Sequence, residues 1–244
     1  EPSFRIEGGT ATLIEKLVLE IGIQNIKTQT KTTTIKEENN YLIILDSSGN
    51  SYSADKVIST IPPNLLVNSV VFEPKLPENF TQLAKTTHTW MGESIKFAVE
   101  YKTPFWKQNH YSGTIFSQAS IIQEMYDHST ATNCGFALKG FLNGGTAVFS
   151  KEDRKEKAIA QLTAFFGLEA TDYVAYYENV WREEPLTFQP YEQLVLAHQN
   201  NGHSLFKNPL LNEKLYVSGA ETATQSPGYM NGAIFAAKTL ASQF

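Results

Sequence analysis

Between Leu215 and Ala233 the chain joins Leu215-Tyr216-Val217 to Ser218-Gly219-Ala220-Glu221-Thr222-Ala223 and then to Gly228-Tyr229-Met230-Asn231-Gly232-Ala233. An apolar strand that runs through a glycine turn into a small-residue helix aims backbone N–H groups and the positive end of the helix dipole at one place. That suits an anionic or electron-rich ligand atom. Gly219, Gly228 and Gly232 would let a flat ligand approach closely. Met230 and Asn231 fall in the first helical turn, where N–H groups lack intrahelical partners. A second chemical candidate is Lys96, which closes Glu93-Ser94-Ile95-Lys96. A cation on a strand is either solvated or placed to stabilise developing negative charge.

Other chemistries are poorly represented. His88, His110, His128, His198 and His203 have neither HExxH nor Cys/His spacing, so no metal site is expected. There is no GxSxG elbow and no phosphate-cradling GxxxxGK[ST] loop. Cys134 is the one cysteine; it excludes an internal disulfide and is expected to do packing work. Glu183 and Glu184 are adjacent on an extended segment, where neighbouring side chains point apart, so they do not form an acid/base pair.

The elements that must position these residues follow from local pattern. Leu13, Ile14, Leu17 and Val18 have helical spacing within Thr10 to Leu19. Asn25 to Asp46 alternates like paired strands about a turn at Glu38-Asn39-Asn40, and Asp46-Ser47-Ser48-Gly49-Asn50 is a second turn. A strand from Lys56 to Ile61 ends at Pro62-Pro63, which cannot continue a ladder. Val70 to Phe72, Ile95 to Val99 and Gly135 to Leu138 read as further strands. Ser150 with Asp153 forms a capping box for a helix whose apolar face is Ala158, Ile159, Leu162 and Phe166, and which Gly167 ends. The reading is an α/β (α+β) chain: a mixed-sheet domain with helices at residues 64–210, enclosed by two pieces of a second domain at 1–63 and 211–244.

Composition sets the class. With 41% hydrophobic and 18% charged residues, the 244-residue chain can bury a substantial core. Its net charge of -5 disfavours nucleic acid as a partner. No apolar run reaches the roughly 20 residues that cross a bilayer, and no secretory signal is present, so no membrane anchor and a cytoplasmic location are expected.

Gly219-x-Glu221-Thr222-Ala223 followed by Gly228-Tyr229-Met230-x-Gly232-Ala233 resembles the C-terminal flavin-binding segment of flavin-containing monoamine oxidases. Phe4 with Gly8-Gly9, Val57 to Pro63, Met91 to Lys96 ahead of Tyr101 to Trp106, and Asn179-Val180-Trp181-Arg182-Glu183-Glu184 match that family in the same order. A complete member would carry an upstream βαβ unit with GxGxxG for the FAD pyrophosphate. No such triplet follows a strand here, and the chain is expected to be the C-terminal portion of a longer enzyme, inactive and deficient in FAD binding by itself.

The resemblance implies roles. Lys96 would hold a water near the flavin N5. Tyr191 and Tyr229 would flank the substrate amine with two aromatic faces. Gly8, Gly9, Ser59, Thr60, Trp181, Gly219, Glu221, Thr222, Gly228 and Met230 would contact FAD: Met230 through its N–H to the C2 carbonyl, Glu221 and Thr222 beside the ribityl chain and ring, Ser59 and Thr60 on the nucleotide side. Pro190 stands where animal monoamine oxidases have a cysteine thioether-linked to the flavin, which implies non-covalent FAD. The implied reaction takes a hydride from the carbon bearing a neutral amine, leaves an imine for water to hydrolyse, and returns the electrons to O2 as H2O2. Phe105, Trp106, Phe116 and Phe188 point to an aromatic or aliphatic amine rather than a highly charged polyamine. A desaturase or protoporphyrinogen oxidase relative on the same scaffold, and a substrate-binding module without FAD, remain alternatives; oligomeric state is open.

Overall fold

The computed structural model describes residues 5–132, 134–190 and 196–244. Phe4 and Tyr191 lie outside the described residues. The chain divides into two compact units, Glu1–Val57 with Val70–Lys75 and Ile58–Ser69 with Leu76–Phe244.

The first unit holds α1 (Ala11–Ile21), β1 (Thr32–Glu38), β2 (Tyr41–Asp46) and β3 (Ser51–Ala54). After passing through β4 (Val57–Ser59) and α2 (Pro63–Ser69), the chain returns to it as β5 (Val71–Glu73). Sheet order is β3-β2-β1-β5, with β5 parallel to β1 and the rest antiparallel. Asn39 and Asn40 take positive φ (47° and 73°), the backbone a two-residue hairpin turn requires, so the turn falls where it was expected. In the second turn the Asp46 carboxylate accepts from the Asn50 side chain at 2.8 Å, the Asn50 and Ser48 amides, and the Tyr52 hydroxyl. These bonds, the Asn50 side chain foremost, hold its pKa at about 2. Residues 25–31 do not extend β1: a short 3-10 turn covers Ile23–Asn25, and among the described residues the polar threonine run has no partner strand before Thr32.

The second unit continues with α3 (Glu78–Lys85), β6 (Ile95–Tyr101), α4 (Phe105–Gln108), β7 (Ile115–Phe116), β8 (Ile122–Asp127), β9 (Phe136–Leu142), α5 (Lys151–Phe166), β10 (Tyr173–Val180), β11 (Leu215–Val217) and α6 (Met230–Ala241). Five strands form an antiparallel sheet in the order β10-β6-β9-β8-β7. In β6, Ile95, Phe97, Val99 and Tyr101 are buried, whereas Lys96 is exposed and Ala98 and Glu100 are half-buried, the alternation of a one-sided strand. The buried side packs with Leu138, Leu142, Met125 and the α5 residues Ala158, Leu162 and Phe166. A side chain at Gly140 would overlap the Glu124 carbonyl and the Met125 Cα, so glycine is what lets β8 and β9 close.

Phe105 and Trp106, expected to hint at the substrate, are 4% and 0% exposed and belong to this core, edge-on to Tyr101 and to each other. Their apolar area is spent on folding, so they carry no information about the amine.

Helix α5 starts as expected: the Ser150 hydroxyl accepts from the Asp153 amide at 3.1 Å and donates to the Asp153 carboxylate at 2.8 Å. Gly167 ends it at φ 90°. Arg154, one turn in, is buried and bonds Glu178 on β10 through Nε (3.1 Å) and Nη2 (2.5 Å), and Nη1 reaches the carbonyls of Thr146, Ala147 and Phe149. Tyr176 donates its hydroxyl to the other Glu178 oxygen at 2.8 Å. The two charged side chains are only 5% and 4% exposed, so removing one strands the other in a water-poor environment. Arg154→Met is therefore expected to cost about 3–5 kcal/mol in urea denaturation, and Arg154→Met combined with Glu178→Leu to recover most of it.

Candidate functional site

The C-terminal segment is built on β11, paired with β4, where the Ser218 amide donates to the Ser59 carbonyl at 2.9 Å. Beyond it the backbone of Gly219 is extended and a 3-10 turn covers Ala220–Thr222. The Thr222 hydroxyl accepts from the Gly219 amide at 3.0 Å and donates to the Gly219 carbonyl at 3.1 Å. The Gly228 amide donates to the Ala220 carbonyl at 2.9 Å, which closes the loop and delivers the chain to α6 at Met230. Met230 and Asn231 begin that helix, and the positive end of its dipole carries no acidic side chain in the first turn.

Ser59 is buried, and its hydroxyl has no hydrogen-bond partner among the described residues. Such a group is rare in a folded interior. Thr60, its neighbour, is exposed. A side chain at Gly219 would meet only the Thr60 carbonyl at 3.5 Å and the Glu221 carboxylate at 3.7 Å, ordinary contacts that leave room beside the turn. The orphaned hydroxyl, the open Gly219 edge and the helix amides fit the polar rim of a flavin.

Two of the glycines have another purpose. A Cβ on Gly228 would lie 2.7 Å from Trp90 Cδ1 and 3.2 Å from His198 Cε1, and one on Gly232 would overlap the Ser226 carbonyl. The space expected for a flat ligand at these two positions is taken by the protein itself. Gly228 also has φ 79°, where a side chain is strained.

The ring that fills the Gly228 space belongs to a cluster. Trp90 stacks on His198 with centroids 4.9 Å apart and planes at 27°, His198 stacks on Tyr229 at 5.9 Å and 21°, and Trp90 meets Tyr229 at 5.3 Å. Trp90 Nε1 donates to the Gly228 carbonyl at 3.0 Å. Aromatic pairs of this geometry add about 0.5–1.5 kcal/mol each beyond burial, which steadies a tyrosine that is 52% exposed. Trp90 and His198 carried no signal in the sequence, because each is a lone residue in an irregular segment.

Trp90 also lines a cavity of about 270 Å³ with Asn64, Leu65, His88, Glu93 and Phe188. Burial pushes His88 below its ordinary pKa, against a hydrogen bond at the Lys85 backbone that raises it. Glu93 forms an ion pair with Arg182 at 2.7 Å, and the amide of Trp181, at the end of β10, donates to the Ser94 carbonyl at 3.1 Å. These contacts bring the Trp181 segment to the head of β6, two residues before Lys96. Lys96 is exposed, flanked by Asn179 and Phe141, with its Nζ 5.8 Å above the Phe141 ring. No hydrogen bond or ring contact among the described residues joins it to Tyr229. Gly8 and Gly9 belong to the first unit, ahead of α1, with φ of 75° and 87°.

Glu221 is 6% exposed, and desolvation raises its pKa above the ordinary glutamate value, its own backbone amide pulling the other way. The folded chain thus holds this proton more tightly than the unfolded chain. Stability must fall as pH rises from the ordinary glutamate range through the raised value. Glu221→Gln removes that dependence, so its melting temperature should gain on the parent across that window; parallel curves would show that the side chain titrates normally.

The chain matches the family model described as flavin containing amine oxidoreductase over residues 1–243. Among relatives, it is 28% identical over 248 residues to human amine oxidase [flavin-containing] B, covering 97% of this chain and 46% of the relative. It is 29% identical over 197 residues to putrescine oxidase of Kocuria rosea, covering 75% and 41%. Among solved structures, wild-type putrescine oxidase bound to putrescine superposes with a TM-score of 0.82 at 25% identity over 98% of this chain and 53% of that one. Cyclohexylamine oxidase from Brevibacterium oxydans IH-35A shares the fold, with a TM-score of 0.83 at 23% identity over 96% and 52%. The chain spans about half the length of the curated relatives it matches.

Proposed function

The chain belongs to the flavin-containing amine oxidoreductase family, and from that premise we propose that the protein it comes from is an amine oxidase holding FAD without a covalent bond. The observation that carries this is the β11–turn–α6 segment with β4 beside it: an open edge at Gly219, the half-exposed Tyr229 held in a ring stack directly ahead of the first-turn amides of α6, and on β4 the buried Ser59 hydroxyl, which has no hydrogen-bond partner among the described residues.

When bound, FAD supplies a two-electron acceptor for the amine, with O2 as the final oxidant and H2O2 as its product. The protein's own residues do the rest. Gly219, Glu221 and Thr222 would shape the turn against the cofactor, the Met230 amide and the helix dipole would support negative charge on it, and Ser59 would offer its hydroxyl. Thr60, Trp181, Gly8 and Gly9 would complete the proposed cofactor contacts, while Gly228 lets the turn close. Tyr229, with Tyr191, restricts the amine to a reactive pose, and Lys96 orders a water and stabilises charge. Pro190 cannot form a thioether, so the cofactor is held by these contacts alone. The imine product is released to hydrolysis by water. The half-exposed Phe188 and exposed Phe116 favour an aromatic or aliphatic amine.

The test uses the full reading frame. It should carry flavin absorbance that bleaches when a primary amine is added without oxygen. Denaturation should release the flavin from the chain, and retention would contradict the non-covalent reading. A flavin that no amine bleaches would turn the reading toward another flavin oxidoreductase, and absence of flavin toward a binding module. Lys96→Met should slow flavin reduction, reoxidation or both by about tenfold or more in stopped-flow absorbance; unchanged kinetics would remove Lys96 from the mechanism.

A further inference from the structure

We infer that Trp90 and His198 are positioning residues: together they fix the Gly228–Tyr229–Met230 segment, setting the plane of the Tyr229 ring and the direction of the Met230 amide. This deepens the amine oxidase reading and rests on it for the role of Tyr229.

The Gly228 carbonyl shares its peptide plane with the Tyr229 amide, and the indole N–H of Trp90 is its hydrogen-bond donor at 3.0 Å. The Tyr229 amide is used to close the turn on the Ser226 carbonyl at 3.2 Å. The first amide after that turn, at Met230, takes its direction from a unit pinned on both sides. Gly228 admits the indole because it has no side chain, and the 2.7 Å that a Cβ would leave to Trp90 Cδ1 shows how closely the two are fitted.

His198 supplies the adjoining wall. Its ring is inclined by 27° to Trp90 and by 21° to Tyr229, and centroid separations of 4.9, 5.3 and 5.9 Å close the three rings into a triangle, so the tyrosine ring is held against two aromatic neighbours that also hold each other. Its backbone is in the left-handed region, φ 61°, an uncommon conformation for a residue with a side chain and one that must be held by its surroundings. The holding groups are visible. Asn200, also left-handed, donates its side-chain amide to the Thr86 hydroxyl at 2.9 Å and the Thr86 carbonyl at 3.2 Å. The Gly202 amide donates to the Glu221 carbonyl at 2.8 Å. One short loop is thereby tied to the segment that carries Trp90 and to the turn that leads to Tyr229. A strained residue at the centre of such ties, with its ring against a proposed substrate-facing tyrosine, is placed to set orientation.

Trp90→Phe keeps an aromatic ring and removes the donor; His198→Ala removes the wall, and His198→Phe restores it. In the full-length protein, hydrogen–deuterium exchange of residues 228–233 should rise about tenfold in Trp90→Phe, a factor that corresponds to one lost hydrogen bond, while α5 stays as in the parent. The bound flavin's visible spectrum should shift in the same variant. Amine-dependent flavin reduction should slow about tenfold in Trp90→Phe and His198→Ala, with its limiting rate falling more than amine affinity, and His198→Phe should recover most of the loss. Parent-like exchange at 228–233 in Trp90→Phe and His198→Ala would overturn the inference whatever the activity. So would altered exchange with parent-like flavin spectrum and reduction rate, since the residues would then only stabilise the fold. If no amine bleaches the parent, the amine oxidase reading fails by itself, and exchange together with the flavin spectrum still decides whether Trp90 and His198 fix the segment.

Discussion

The pleat of β6 is the constraint on which the second unit depends. Its odd-numbered residues, Ile95 to Tyr101, are claimed by the core, so the even-numbered ones must face the other way, and a one-residue slip would put Lys96 into the apolar layer. Register is held on both edges, by β9 on one side and β10 on the other, with Lys96 opposite Phe141 and Asn179. The buried Arg154–Glu178 pair reinforces the β10 edge from the α5 side, because both charges lose water if the strand shifts. The exposure of Lys96 thus follows from core packing and requires no interaction of its own.

The C-terminal turn obeys a different logic, in which missing side chains define the geometry. Within it, the vacant Cβ position is occupied by backbone at Gly232 and by aromatic rings at Gly228, and of these glycines only Gly219 is bordered by ordinary contacts. A string of glycines therefore serves several purposes, and one of the three expected to admit a ligand retains the space to do so. This concentrates the proposed cofactor edge on Gly219, Ser59 and the helix amides, and makes Gly228 a matter of fitting one part of the protein to another.

Local signals were legible in the sequence and distant ones were not. The Asn39-Asn40 turn, the Ser150 cap, the Gly167 stop and the strand at Ile95 to Val99 each depend on residues within a few positions, and the chain shows them as read. Residues 25–31 misled because alternating threonines look like a strand whether or not a partner exists. Arg154 lies among Glu152, Asp153, Lys155, Glu156 and Lys157, where it is indistinguishable from a solvated helix face; its burial depends on a carboxylate 24 residues away. The Trp90–Gly228 bond spans 138 residues, and aromatic side chains do not announce whether they belong to a core, as Phe105 and Trp106 do, or to a cavity wall, as Phe188 does.

The Phe188 segment bears on how a flavin could be retained without a thioether. The amides of Thr187 and Phe188 both donate to the Glu184 carbonyl, at 3.0 and 2.8 Å, so the chain is turned there by its own backbone. The Phe188 ring lies where a Cβ on Gly92 would be 3.0 Å away, and the Arg182 guanidinium, paired with Glu93, sits 5.9 Å from the ring. Bulk in this segment is thereby accommodated by the loop that leads to Trp90 and β6. A segment anchored by backbone turns, ring packing and an ion pair needs no covalent link to a cofactor to keep its place. On the proposed non-covalent reading, the wall at Phe188 stays ordered without a thioether, and cofactor retention would fall on the β11–turn–α6 contacts.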